Sequence, residues 1–310
     1  MNPLAGIALK TLSALAFTFM SAGIKWLAEA YPTGQIVFFR SAFALVPLCL
    51  WLSWQGGVIA SVRTSDLRGH ILRGFISTAG MAAGFLALAY LPLSDAIAVG
   101  YASPLITVAL AALVLGEVVR IYRWSAVALG FVGVLTMLYP SLGAGLSAGG
   151  SLGGGTAIGA AAALFAACCS AAATIQVRRL TKTERTGAIV LYFTLISTAL
   201  GLVTLAFGWR MPGGADLAIL VAVGILGGIG QILLTQSFRF ADASVIAPFD
   251  YTTMIWALPI GWLLFDQLPD RYVLTGGLIV AGAGLFVIWR ERRLGLVRAR
   301  HVETGAQKSV

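Results

Sequence analysis

The chain has 310 residues, of which 59% are hydrophobic and only 11% charged, with a formal net charge of +9. Soluble domains carry about 25% charged residues, so there is too little polar material here to cover a soluble protein of this length. The basic residues lie in loops and the tail, apart from the aromatics, which argues against a nucleic-acid surface.

A membrane-spanning helix needs about 20 mainly apolar residues, and ten such runs follow one another. They are continuously apolar rather than alternating, so they read as helices and not as a β-barrel. Run 4–27 contains Lys10 and has no basic region before it, so it reads as a retained helix rather than a leader. Run 33–54 contains Arg40, run 70–90 contains Ser77, Thr78 and Met81, and run 94–115 contains Tyr101, Ser103 and Thr107 and leads to Glu117. After run 122–140, Ser141–Gly155 has seven glycines and no charge, the composition of a flexible external linker. Runs 154–176, 186–207 and 217–238 follow, the last with Gln231, Thr235 and Gln236. Run 242–264 contains Asp250, Tyr251, Thr252 and Trp256, with Asp266 just beyond it, and run 272–290 precedes a basic tail. Trp26, Trp54, Trp124 and Trp289 lie near run ends, where tryptophan anchors helices at the interface.

With the N-terminus in the cytoplasm, sixteen Lys and Arg fall on the inner side, Arg73 among them, and three on the outer. Such a bias predicts that both termini are cytoplasmic. At an offset of about 149 residues, Ser21-Ala22 falls on Ser170-Ala171, Ala96-Ile97-Ala98 on Val245-Ile246-Ala247, Glu117 on Asp266 and Gly133 on Gly282. Five spans per half is an odd number, so the second half must enter from the opposite face. The expected fold is an all-α polytopic membrane protein: ten transmembrane helices as two inverted five-helix repeats. The expected divisions are a first repeat over 1–140, the linker 141–155, a second repeat over 156–290 and a basic cytoplasmic tail over 291–310. Gly80-xxx-Gly84, Gly224-xxx-Gly228 and Gly277-xxx-Ala281 are spacings that let helices approach closely.

Phe38-Phe39-Arg40, the run from Ala96 through Pro104 to Gly116-Glu117, and Gly130 with Gly133 together resemble the EamA-type drug/metabolite transporter superfamily, over about residues 5–290. Phe265-Asp266 stands where that family has Gly-Glu, and Thr253 stands at the position matching Pro104. The resemblance implies transport of a small metabolite (an amino acid, a vitamin-like or a nucleotide-like compound) through a central cavity, without ATP hydrolysis in this chain.

Charges inside spans cost from about 2.5 kcal/mol upward unless paired or hydrated. Lys10, Arg40 and Asp250 qualify. At 1.5 Å per residue, Lys10 and Asp250 each lie roughly 10 Å from the inner face and Arg40 at a similar depth from the outer face. Two polar layers are expected, Lys10 with Asp250 and Arg40 with Tyr101. Functionally, Arg40 would capture a substrate carboxylate or phosphate and Asp250 would serve as a proton or amine site; structurally, they would be an ion pair and a snorkelling arginine. Ser103, Gln231, Tyr251 and Trp256 complete the substrate or coupling candidates. Glu117 and Asp266 are gate or structural candidates.

Gly145-Leu146-Ser147-Ala148-Gly149 matches the nucleophile-elbow pattern but sits in the linker, far from either histidine. Cys49, Cys168 and Cys169 have no zinc-site or disulfide-framework spacing, and no catalytic, metal or cofactor set is read. The reading is an alternating-access transporter of the inner membrane. Its partners are a small-molecule metabolite, protons as candidate coupling ion and membrane lipid, with no nucleic acid, as a monomer or homodimer. A membrane enzyme would need a His, Asp or Glu cluster at one interface, and a receptor or scaffold would need large folded loops.

Overall fold

The computed structural model describes residues 3–54, 62–115, 121–147, 155–180, 183–240, 249–250 and 252–307. Among them the regular elements are all helical: α1 (Pro3–Leu27), α2 (Thr33–Trp54), α3 (Leu67–Tyr90), α4 (Leu93–Gly100), α5 (Ala102–Leu115), α6 (Ile121–Ser147), α7 (Gly155–Leu180), α8 (Thr186–Val203), α9 (Gly214–Phe240), α10 (Thr252–Phe265) and α11 (Arg271–Gln307). Six of these, α1–α3 and α7–α9, supply stretches long and apolar enough to cross a membrane, and α6, α10 and α11 carry shorter apolar segments. With α4 and α5 joined end to end, ten helices fit the ten runs.

The boundaries differ from expectation in three places. α3 starts at Leu67 rather than 70, because the Asp66 side chain caps it by accepting from the Gly69 N–H. α6 runs on to Ser147, through the first part of the expected linker, and Gly155 already belongs to α7. α11 continues to Gln307, so the tail leaves the last span as a helix.

The fourth span is interrupted at Tyr101, whose N–H turns back to Ala98 instead of making the next α-helical bond. Pro104, with no N–H to offer the Gly100 carbonyl, explains the break at that point. Asp250, the residue that the repeat places on Tyr101, lies in a short 3-10 segment just before α10.

Contacts between helices establish the inversion. Lys25, in the last turn of α1, donates to the carbonyls of Leu88 and Leu91 at the end of α3 (3.1 and 2.6 Å), so α1 and α3 point the same way. α7 runs antiparallel to α3: Gly159 abuts Tyr90 and Leu91, Cys169 abuts Gly80, and Leu180 abuts Gly69. The first helices of the two halves are therefore opposed. The pairing is also reciprocal. α1 packs against α9 as α7 packs against α3, α2 against α9 as α8 against α3, and α2 with α8 and α6 with α11 meet their own counterparts.

Glycines set the closest approaches. A Cβ on Gly201 would lie 2.7 Å from the Phe38 backbone, and one on Gly224 2.9 Å from the Phe39 carbonyl, so α2 seats directly on α8 and α9. Gly80 and Gly84 face Ala166 as their spacing predicts, while α6 meets α11 through Gly133 and Gly276 rather than Gly277. Among the described residues the buried core forms three clusters, one around α4–α7, one around α1, α9 and α10, and a small one between α2 and α8 made by Leu48, Leu52, Val190 and Leu191. Large apolar side chains such as Phe131, Leu135, Ile255 and Leu263 remain on the outside, where a bilayer covers them. Trp26, Trp54, Trp124 and Trp289 are exposed near apolar-segment ends.

Candidate functional site

Where the break in the fourth span meets the start of α10, polar groups from both halves join. The Lys10 ammonium, on α1, pairs with the Asp250 carboxylate at 2.5 Å. The Lys10 side chain is 8% exposed and that of Asp250 51%, so one partner is buried and the other reaches open space. The Thr253 hydroxyl bonds the Asp250 carbonyl (2.7 Å) and the Tyr101 hydroxyl (2.6 Å). Tyr101 thus belongs with Asp250 and Thr253, not with Arg40. The expected Lys10–Asp250 layer is present, and the expected Arg40–Tyr101 layer is absent. Depth alone misleads here, because equal nominal depth on α2 and at the break between α4 and α5 does not put two side chains on facing surfaces.

Arg40 is buried on α2 and approaches the Phe193 ring of α8, with its guanidinium carbon 5.8 Å from the centroid. Arg73, counted from sequence among the inner loop charges, is also buried, because α3 begins early and carries it nearly two turns into the bundle. Its guanidinium lies 4.4 Å from the same ring, and Nη1 donates to the Ile189 carbonyl (2.8 Å). The Asp66 cap was the signal that could have revealed it.

A cavity of about 390 Å³, within the range of small-molecule sites, lies among α1, α3, α4 and α7. Its walls are mainly apolar, with Ser21, Ser77 and Ser170 as the hydroxyl groups. Ser77 Oγ is buried with no hydrogen-bond partner among the described residues. Ser21 and Ser170 are repeat equivalents, so the two halves contribute the same residue to one space. The sequence comparison paired them without indicating that they meet.

Polar clasps join the halves at both ends. At one end the Glu184 carboxylate, between α7 and α8, accepts from the Ser65 N–H and hydroxyl (2.7 and 2.8 Å) and from the Asp66 N–H (3.1 Å). Its other oxygen lies 3.6 Å from Nε2 of the buried His70, which stacks on Tyr192. Burial pushes this carboxyl up, but the hydrogen bonds from Ser65, Thr64 and Asp66 together bring it down to about 2. At the other end the Tyr31 hydroxyl donates to Asp216 (2.6 Å), and the Gln35 amide both donates to the Arg210 carbonyl (2.7 Å) and accepts from the Arg210 N–H (3.1 Å).

The remaining candidates are dispersed. Ser103 is half-buried, with its carbonyl accepting from Thr107. Gln231 is half-buried beside Gly230, whose carbonyl accepts from Ser13 (2.8 Å). Trp256 packs into the core near α1, with Nε1 buried and without a partner among the described residues. Among the described residues, the 390 Å³ cavity is lined by Ser77 and Met81, noted in the third run, and by none of Lys10, Arg40, Tyr101, Ser103, Gln231, Asp250 and Trp256. Tyr251 and Glu117 lie outside the described residues. Asp266 is exposed and ends α10 in left-handed backbone (φ 53°), a conformation that Asp and Asn tolerate better than most side chains. Among the described residues no group of three His, Cys, Asp or Glu is placed to hold a metal.

The sequence matches the model of the EamA-like transporter family twice, over residues 4–139 and 157–290. It is 30% identical to the riboflavin transporter of Rhizobium johnstonii, covering 91% of this chain and 90% of that one. It is 27% identical to the pseudopaline exporter of Pseudomonas aeruginosa (90% and 94% covered) and 24% identical to the S-adenosylmethionine uptake transporter of Rickettsia felis (94% of each). A solved crystal structure superposes with a TM-score of 0.65 at 18% identity, over 95% of this chain and 99% of that one, which establishes likeness of fold.

Proposed function

The chain belongs to the EamA-like transporter family, a multi-pass membrane transporter of a small metabolite, and from that premise we propose how it works. The cargo occupies the cavity shared by α1, α3, α4 and α7, and the two halves rock about it in the inner membrane, with both termini in the cytoplasm. The observation that carries this reading is the presence of Ser21 and Ser170 in one cavity. A site that takes equivalent residues from inverted halves can face either side of the membrane by exchanging their conformations.

Asp250 is proposed as the coupling site. Its carboxylate balances Lys10 while still reaching open space, so a proton or a cationic group can compete with the lysine. Discharging Asp250 would loosen α1 from the start of α10, which is a change in the packing of one half on the other. The clasps at Glu184 and at Gln35–Arg210 are proposed as the contacts that open alternately.

The named relatives carry chemically different cargoes, riboflavin and S-adenosylmethionine among them, so the cargo of this chain is a matter for assay. The test is a proteoliposome flux screen of amino acids, flavins and nucleotide-like metabolites, with and without a pH gradient, on the wild type and on Ser21→Trp. At least one compound should move, faster with the gradient, and Ser21→Trp should stop it. Unchanged flux in Ser21→Trp would refute the cavity as the path.

A further inference from the structure

We propose that Arg40 and Arg73 form a buried subsite for one anionic group, a carboxylate or a phosphate, of the transported molecule. This rests on the transporter reading above and adds a chemical class for the cargo.

Both guanidiniums are deep in the bundle, with Arg40 5% and Arg73 8% exposed. They approach one ring, Phe193, from two different helices. Nε of each is buried with no acceptor, and apart from the single bond from Arg73 to Ile189 no acceptor among the described residues meets either group. No carboxylate among the described residues lies within ion-pair distance of either, whereas Lys10 has Asp250. Among the described residues, then, Lys10 is balanced by Asp250 while Arg40 and Arg73 face no carboxylate.

The ring does not offset them. A cation–π contact returns only part of what burying an ionised side chain within a membrane costs. Two like charges over one ring also repel. Nor does Arg40 snorkel to the surface. Its Nε lies against Gly227, about 20 Å along α9 from that helix's first residue. A Cβ there would come within 3.1 Å of Nε and 3.0 Å of the Met20 sulfur, so the glycine keeps space open beside the guanidinium.

The subsite adjoins the cavity. Arg73 precedes Ser77 by one turn on α3 and therefore shares its face, and Ser77 lines the cavity. An anion held by the two guanidiniums would leave the rest of the cargo directed toward Ser77 and Met81. The second half has Ile189 and Ala222 at the repeat positions of Arg40 and Arg73, so the anion site breaks the two-fold and fixes which way round the cargo lies.

The test uses the full chain, purified and reconstituted in phosphatidylcholine nanodiscs. Benzoate and inorganic phosphate serve as probes, with neutral benzamide and potassium chloride as controls, and the thermal unfolding midpoint is read. Benzoate or phosphate should raise the midpoint saturably, and the controls should not. Arg40→Gln and Arg73→Gln, each checked for monodispersity, should raise the half-effect concentration at least tenfold. Arg73→Lys, which keeps the charge and guards against misfolding, should retain a weakened response, and the exposed Arg271→Gln a normal one.

No response of the wild type to either anion, or a response that survives both glutamine variants, would overturn the proposal. A midpoint rise caused by phosphatidylglycerol but by neither probe would assign the site to a lipid headgroup and also overturn it. The flux screen is independent. Anion binding without flux of any compound would sink the transport reading and leave the subsite standing, and flux without anion binding would do the reverse.

Discussion

Replacing Asp250 by Asn tests the electrostatics and the mechanism together. The substitution keeps shape and most hydrogen-bonding capacity while removing the charge opposite Lys10. At an effective dielectric of about 20, a unit pair 4 Å apart is worth about 4 kcal/mol. The Asp250 side chain is half exposed, so solvent screening reduces the figure to about 2 kcal/mol, roughly a 30-fold change in any equilibrium that the pair controls. The folded state should lose about that much stability, read as a lower unfolding midpoint in detergent. In proteoliposomes the variant should lose the effect of a pH gradient on flux while still exchanging cargo across the membrane. Lys10→Gln combined with Asp250→Asn should regain most of the stability, because no buried cation is left without its counter-charge, yet stay uncoupled. Gradient-driven flux at the wild-type rate in Asp250→Asn would refute the coupling role, and an unchanged midpoint would refute the ion-pair energetics.

Gly201→Ala should lower the unfolding midpoint, by about 1–3 kcal/mol of stability, because its Cβ would meet the Phe38 backbone at 2.7 Å and backbone cannot rotate away. Tyr101→Phe should cost about 1 kcal/mol, and the double variant Tyr101→Phe/Thr253→Val should lose less than the sum of the two single variants, since each single change already breaks the bond they share; strictly additive losses would contradict that. The carboxyl of Glu184 lies below its ordinary value of 4.5, so its stabilising contribution is complete above about pH 4.5 and is lost as pH falls through about 2. The stability difference between wild type and Glu184→Gln should accordingly be constant at neutral pH and close on acidification, in denaturation curves taken across that window. Tags on the two termini should be labelled from the same side of intact cells' inner membrane; labelling from opposite sides would contradict the proposed orientation.

The spans were legible because hydrophobic length is a one-dimensional signal, and the repeat because a shared offset adds up over many weak matches. The Lys10–Asp250 pair was legible because both charges had to find partners at one depth. Arg73 was not, since its burial depends on where α3 starts, and a single capping aspartate moved that start by a turn. Arg40 and Tyr101 were wrongly joined because depth is one coordinate and helix rotation another, and only packing fixes the second. Most of the cavity lining was illegible for a related reason: beyond Ser77 and Met81 its walls are mostly alanine, glycine and serine, which carry no compositional mark.

The reciprocal packing of α1 on α9 and of α3 on α7 has a consequence for biogenesis. The helices that leave the ribosome first find their main neighbours among those made much later, so the N-terminal five spans must wait in lipid with their glycine-lined grooves unfilled. A polypeptide truncated after Ser147 would lack the surfaces that α1, α2 and α3 are shaped to meet. Supplying the missing portion as a separate polypeptide restores those surfaces, which makes complementation between two gene fragments the natural way to follow assembly.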